Sequence, residues 1–192
     1  MKENIHKLFE NWNETIIWSC LQGTMGEIHT NVSKDAAMAI LGDFAFYAGK
    51  PSEEMIRFKP ESWKQDFMIM VPQNDSWAQL IEKFYGDKAK RVTRYAFKKE
   101  KDIFDVVKLE QAVLSLPEGY ELKLLEKPEY DMCQNSGWAK DLVSQYKDYD
   151  TYSRLGLGVV ALKDGELAAG ASSYSTYNEG IEIEIDTRTD CR

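Results

Sequence analysis

Gly180-Ile-Glu-Ile-Glu-Ile-Asp-Thr187, near the end of the chain, has the most regular alternation in the sequence. Ile181, Ile183 and Ile185 alternate with Glu182, Glu184 and Asp186, and a period of two is that of a β-strand. Three β-branched side chains then share one face and three carboxylates the other. The isoleucine face is expected to pack on a core. Upstream, two more strands run from Leu157 to Tyr177 around the tight turn Lys163-Asp164-Gly165-Glu166. Strands joined by such short turns form an antiparallel meander.

Moving outward, Tyr120 to Leu125 alternates apolar and polar residues as a strand does. Residues 128–143 suggest two helical pieces, the second around Trp138, Leu142 and Val143, and the polar stretch Gln145 to Arg154 leads back to Leu157. Turn formers in Ser115-Leu-Pro-Glu-Gly119 mark a boundary, dividing the chain into 1–116 and 117–192.

In the first part, Ile5, Leu8, Phe9 and Trp12 have helical spacing, with Asn4 as N-cap, and Glu14 to Leu21 reads as a second short helix stopped by glycine. Residues 26–32 and 36–48 read as two strands. The second is almost continuously apolar and is expected to be buried on both faces, with Asp43 inside it as a hydrogen-bonded buried or edge carboxylate. A helical turn begins at Pro51-Ser52, and Asp66 to Val71 reads as a strand closed by Pro72. Trp77, Leu80, Ile81 and Phe84 make the clearest helix, with Asp75 as its cap and Gly86 as its stop. Lys88 to Lys101 is basic, with Tyr95 and Phe97 interleaved. That pattern can serve single-stranded nucleic acid, but in an acidic chain it reads as a strand, 91–97, with one solvated face. A helix over 105–114 is expected to turn Val106, Leu109 and Val113 inward.

The 192 residues carry a formal charge of -8, and 43% of them are hydrophobic. That is enough apolar material for a sizeable core. The acidic balance argues against nucleic acid as a partner and suits a cationic amine. No run approaches the roughly 18 apolar residues of a membrane span, and the first residues lack the apolar core of a signal peptide, so a cytoplasmic protein is expected. Cys20, Cys133 and Cys191 are widely separated, with only His6 and His29 as imidazoles, so reduced thiols and no metal site are expected.

The run Gly165-Glu-Leu-Ala-Ala-Gly-Ala-Ser-Ser-Tyr174, followed by 180–187 and Arg192, resembles the middle of the GCN5-related N-acetyltransferase (GNAT) superfamily. Cys20-Leu-Gln-Gly23 and Leu41-Gly-Asp-Phe44 are similar to a bacterial GNAT-like group carrying an extra N-terminal domain. The resemblance implies an α+β fold. Its sheet is mixed and mainly antiparallel, with flanking helices, and an incomplete GNAT-like C-terminal half follows a smaller α/β N-terminal domain. It also implies acetyl-CoA as cosubstrate and a small-molecule or peptide amine as acceptor. Glu182 and Glu184 are then the catalytic bases, and Ser172, Ser173, Tyr174 and Tyr177 could line the acceptor site. Ile185, Asp186 and Thr187 would pair with the pantetheine arm. Arg192 would open the pyrophosphate turn Arg/Gln-x-x-Gly-x-Gly/Ala. The glycines and helix expected after it are absent, so a truncated chain with weak acetyl-CoA binding and little activity is the expectation. The alternative is a non-catalytic module that holds a partner on its exposed strand edge. The sequence leaves the oligomeric state open, a homodimer included.

Overall fold

A computed structural model describes residues 2–64, 66–97, 100 and 102–192. The elements are α1 (Lys2–Leu8), α2 (Thr15–Gln22), β1 (Glu27–Thr30), β2 (Ala36–Leu41), β3 (Phe44–Gly49), α3 (Glu53–Arg57), β4 (Ile69–Pro72), α4 (Asp75–Tyr85) and α5 (Val106–Leu114). There follow β5 (Tyr120–Leu124), α6 (Lys127–Gln134), a 3-10 turn at Lys140–Leu142, α7 (Tyr149–Leu155), β6 (Gly158–Lys163), β7 (Glu166–Tyr177) and β8 (Gly180–Thr187). Among the described residues the strands form two four-stranded sheets, β1-β2-β3-β4 and β5-β6-β7-β8. Only the β3–β4 pair is parallel. The α+β class, with mainly antiparallel sheets and flanking helices, is the one expected.

The apolar run 36–48 is two strands and not one. Gly42 adopts φ +55° and Asp43 completes a two-residue turn, a hairpin that glycine at the first central position favours. Both faces of β2 are buried, as its composition requires. Ala37, Ala39 and Leu41 join Phe9, Ile16 and Ile17 of the first helices, while Ala36, Met38 and Ile40 pack with Met55, Ile56, Trp77 and Ile81. The first of these clusters continues without a break into Leu125, Tyr130, Tyr146, Tyr152 and Val160 of the second sheet and its helices. Helix α2 bridges the two sheets: the Ser19 hydroxyl donates to the Thr176 carbonyl at 2.5 Å, and Trp18 packs on Tyr177.

Several local expectations change. Asn74, one residue earlier than expected, caps α4 by accepting from the Trp77 N–H. Residues 91–97 form no strand, and Lys98, Lys99 and Lys101 lie outside the described residues. Helix α5 turns Val106, Leu109 and Val113 to solvent, because no described element packs on it. Helix α7, which the polar stretch concealed, is started by Asp148 accepting from the Thr151 N–H and held by the buried Tyr152.

The largest reversal concerns β8. Leu124, Val159, Ala171 and Ile185 form one cross-strand row on the outer face of the second sheet. That face is open: Ile183 is 58% and Ile185 68% exposed. Glu184 instead shares its row with the buried Ser172 and with Gly158, on the face that α6 and α7 cover. The isoleucines therefore do not face the core. Helices already cover the other side of the sheet, and pleating sends the carboxylates that way.

Candidate active site between the two sheets

The tip of the β2–β3 hairpin projects from the first sheet onto the second. At Gly42 an added Cβ would lie 2.0 Å from the Tyr174 hydroxyl and under 3 Å from the Gln145 amide, so only glycine permits this approach. The Asp43 backbone N–H donates to the Tyr174 hydroxyl at 3.1 Å, pinning the tip to β7. Beside this joint lies a cleft of about 680 Å³. Asp43, Phe44 and Trp63 line it from the first half, Arg94 from the segment after α4, and Asp141, Tyr174, Glu182 and Glu184 from the second half.

Carboxylates dominate the electrostatics. Burial, and then the charge of Asp141, raises the pKa of Asp43. Its Oδ1 is enclosed without a hydrogen-bond partner. Glu184 is also raised, first by burial and then by Asp141 and Asp186, with Arg94 acting in the opposite direction. The Arg94 guanidinium stacks over the Phe44 ring at 4.4 Å. Burial pushes the Tyr174 phenol up so that it keeps its proton, and neighbouring Asp43, Glu182 and Glu184 add to that effect. Such a cleft favours a bound cation.

Similarity to known proteins bears on what this cleft belongs to. A family model described as GNAT acetyltransferase matches residues 6–192. The chain belongs to that family. The crystal structure of a GCN5-related N-acetyltransferase-like protein from Streptococcus suis 89/1591 superposes on the GNAT chain with a TM-score of 0.90 at 42% identity. The alignment covers 100% of this chain and 78% of that one. No curated protein matches the chain. The family and fold are those of acetyltransferases, enzymes that transfer an acyl group.

Within this GNAT fold, Glu182 and Glu184 both line the cleft. The Ile185 side chain is on the outer face. Asp186, Thr187 and Arg192 are brought together at the end of β8: Arg192 pairs with Asp186 at 3.2 Å and donates to the Thr187 carbonyl at 3.1 Å. Strand β8 pairs with β7 alone, and among the described residues its other edge has no strand partner. Of the hydroxyls on β7 only Tyr174 reaches the cleft. Ser172 bonds Tyr152, Ser173 bonds Tyr146, and Tyr177 packs on Trp18. Sequence reasoning did not anticipate Asp141, Arg94 or Phe44, and it read Asp43 as a satisfied carboxylate. The Gly42-Asp43 pair, a hairpin-turn signal inside an apolar run, could have marked the tip. No helix among the described residues is long and apolar enough to cross a membrane.

Proposed function

We propose that the chain is an acetyl-CoA-dependent N-acetyltransferase whose acceptor is a primary amine bound in the inter-sheet cleft. One observation carries the reading: β8 turns Glu182 and Glu184 into the cleft while, among the described residues, no strand pairs with its outer edge. Amine and acyl donor can thus meet along one strand.

An ammonium must lose a proton before it attacks. Glu184, its pKa raised by burial and then by its acidic neighbours, takes up a proton more readily than an ordinary surface carboxylate and is placed to accept that one. Glu182, two residues away, lines the same wall. Tyr174, protonated and pinned to the Asp43 N–H, keeps the hairpin against β7 and so holds the wall in register. Bound acetyl-CoA would supply an activated thioester carbonyl. Among the described residues no strand pairs with the edge at Ile185 and Asp186, which could meet its amide-rich arm as an edge strand meets an extended chain. The backbone donors and acceptors of such an edge fit the group's chemistry, and Arg192 beside it supplies a cation suited to phosphate.

Thiol release from acetyl-CoA by the full-length protein, with and without primary amines, tests the reading. Amine-dependent release is expected, and Glu184→Gln should lower kcat/KM by about 10²-fold or more. Amine-independent release, or turnover undiminished in that variant, would overturn the assignment. The alternative, a non-catalytic module that holds a partner on β8, requires release to stay at the uncatalysed rate.

A further inference from the structure

Resting on that reading of the cleft as the acceptor site, we propose that Arg94 is a built-in competitor of the acceptor: its guanidinium takes the Phe44 face of the cleft, and an amine binds there only by displacing it.

The place of the side chain comes first. Arg94 belongs to neither sheet but to the irregular segment between α4 and α5, and yet it lines the cleft together with Phe44 and Glu184. Its guanidinium stands 4.4 Å from the centre of the Phe44 ring. An aromatic face is a seat for an organic cation, and here a cation of the chain itself fills that seat. Its charge is also felt at the base. Burial, and then Asp141 and Asp186, raise the pKa of Glu184, and Arg94 acts against them. An ammonium group brought to Phe44 and Glu184 therefore meets a like charge already in its place.

The hold on Arg94 is weak, which distinguishes a displaceable plug from a fixed wall. The side chain is exposed, and among the described residues it is in no ion pair. Three residues earlier, Arg91 Nε donates to the Glu82 carboxylate of α4 at 2.7 Å and tethers the segment there. Beyond the tether, residues 92–97 form neither helix nor strand, and Val92, Tyr95 and Phe97 are exposed. Arg94 can thus leave Phe44 without opening a core or breaking a sheet. The other cations lining the cleft lack this arrangement. Lys64 donates to the Glu61 carbonyl at 2.7 Å, and among the described residues Lys140 stands over no aromatic ring.

Only molecules with Arg94 withdrawn accept the amine, so the apparent affinity is the intrinsic one reduced by the fraction withdrawn. A single exposed cation–π contact is weak, which sets that reduction at a few-fold and leaves the cleft usable.

Calorimetric titration of the full-length protein with n-butylamine tests this on the wild type, Arg94→Gln, Arg94→Ala, Arg94→Lys and Lys140→Gln. Both neutral Arg94 variants should bind the amine about threefold or more tightly than the wild type. Arg94→Lys keeps a cation for the ring and should stay within about twofold of the wild type. Lys140→Gln removes the same charge from the cleft without touching Phe44, and should also stay within about twofold. Amine binding in the neutral variants that equals or falls below the wild type's would overturn the role of Arg94 and leave the acceptor reading standing. Equal tightening by Lys140→Gln would do the same, because net charge and not the seat on Phe44 would then set the affinity. If the amine binds neither the wild type nor any variant, the acceptor reading itself fails, and this proposal with it.

Discussion

The two sheets bury their residues in opposite styles. In the first, β2 is buried at all six positions and β3 at its four central ones, because α1 and α2 cover one face and α3 and α4 the other. In the second, helices cover one face, and the other presents Leu122, Leu124, Ile183 and Ile185 to solvent. A sheet covered on both sides can carry a nearly uniform apolar run, which is how β2 reads. A sheet covered on one side alternates, and alternation alone does not say which set of residues faces in. The cleft lies where the tip of the fully covered sheet meets the inner face of the half-covered one. Its carboxylates are therefore partly desolvated without being sealed.

Substitutions test this contrast, and the largest effect should come from the first sheet. Trp77 is fully buried against β3 and donates its indole N–H to the Gly49 carbonyl at 2.9 Å. Trp77→Ala should cost about 3–5 kcal/mol in urea denaturation. Next comes the joint. Gly42→Ala places a methyl group on the Tyr174 hydroxyl at a left-handed backbone position, and should cost about 2–3 kcal/mol and weaken amine binding. Tyr174→Phe leaves the Asp43 N–H without its acceptor and should cost about 1–2 kcal/mol by the same measurement.

Glu184→Gln should act in the other direction. A raised carboxylate pKa means that the folded state holds its proton more tightly than the unfolded chain does. That stabilisation is complete below the ordinary value of 4.5 and is lost as pH rises through the folded value. The variant should thus melt about 2 °C above the wild type at pH 7, an advantage that disappears when melts are run at pH 4. The smallest effect belongs to the outer face. Ile185→Thr should change stability by no more than about 0.5 kcal/mol, since little area is removed from water there. A large loss in that variant would mean that the face is covered in solution and would erase the contrast between the sheets.

Much of this was legible in the residues. The meander 157–187 follows from its period and its Asp164-Gly165 turn, α4 from four apolar residues at helical spacing, and α2 from its glycine stop. The burial of β2 on both faces follows from its lack of alternation. Glu182 and Glu184 could be placed on one face of one strand. Other features were hidden for local reasons. Helix α7 was obscured because its tyrosines are interleaved with polar residues, although Tyr152 is buried in the core and Tyr149 and Leu155 pack against it. Asp141 and Arg94 sit in irregular segments without a periodic signal.

Taken alone, the amino-acid order determined the strands of the meander 157–187, the helix α4, and that three isoleucines oppose three acids along β8, because those depend on periods of two and 3.6 within a few neighbouring residues. Only the tertiary structure decided that the acids face inward, that the Gly42-Asp43 turn meets Tyr174, and that Asp43 and Glu184 share one cleft. Those outcomes depend on which layer covers which side of a sheet and on contacts between residues more than a hundred positions apart, and no local pattern encodes them.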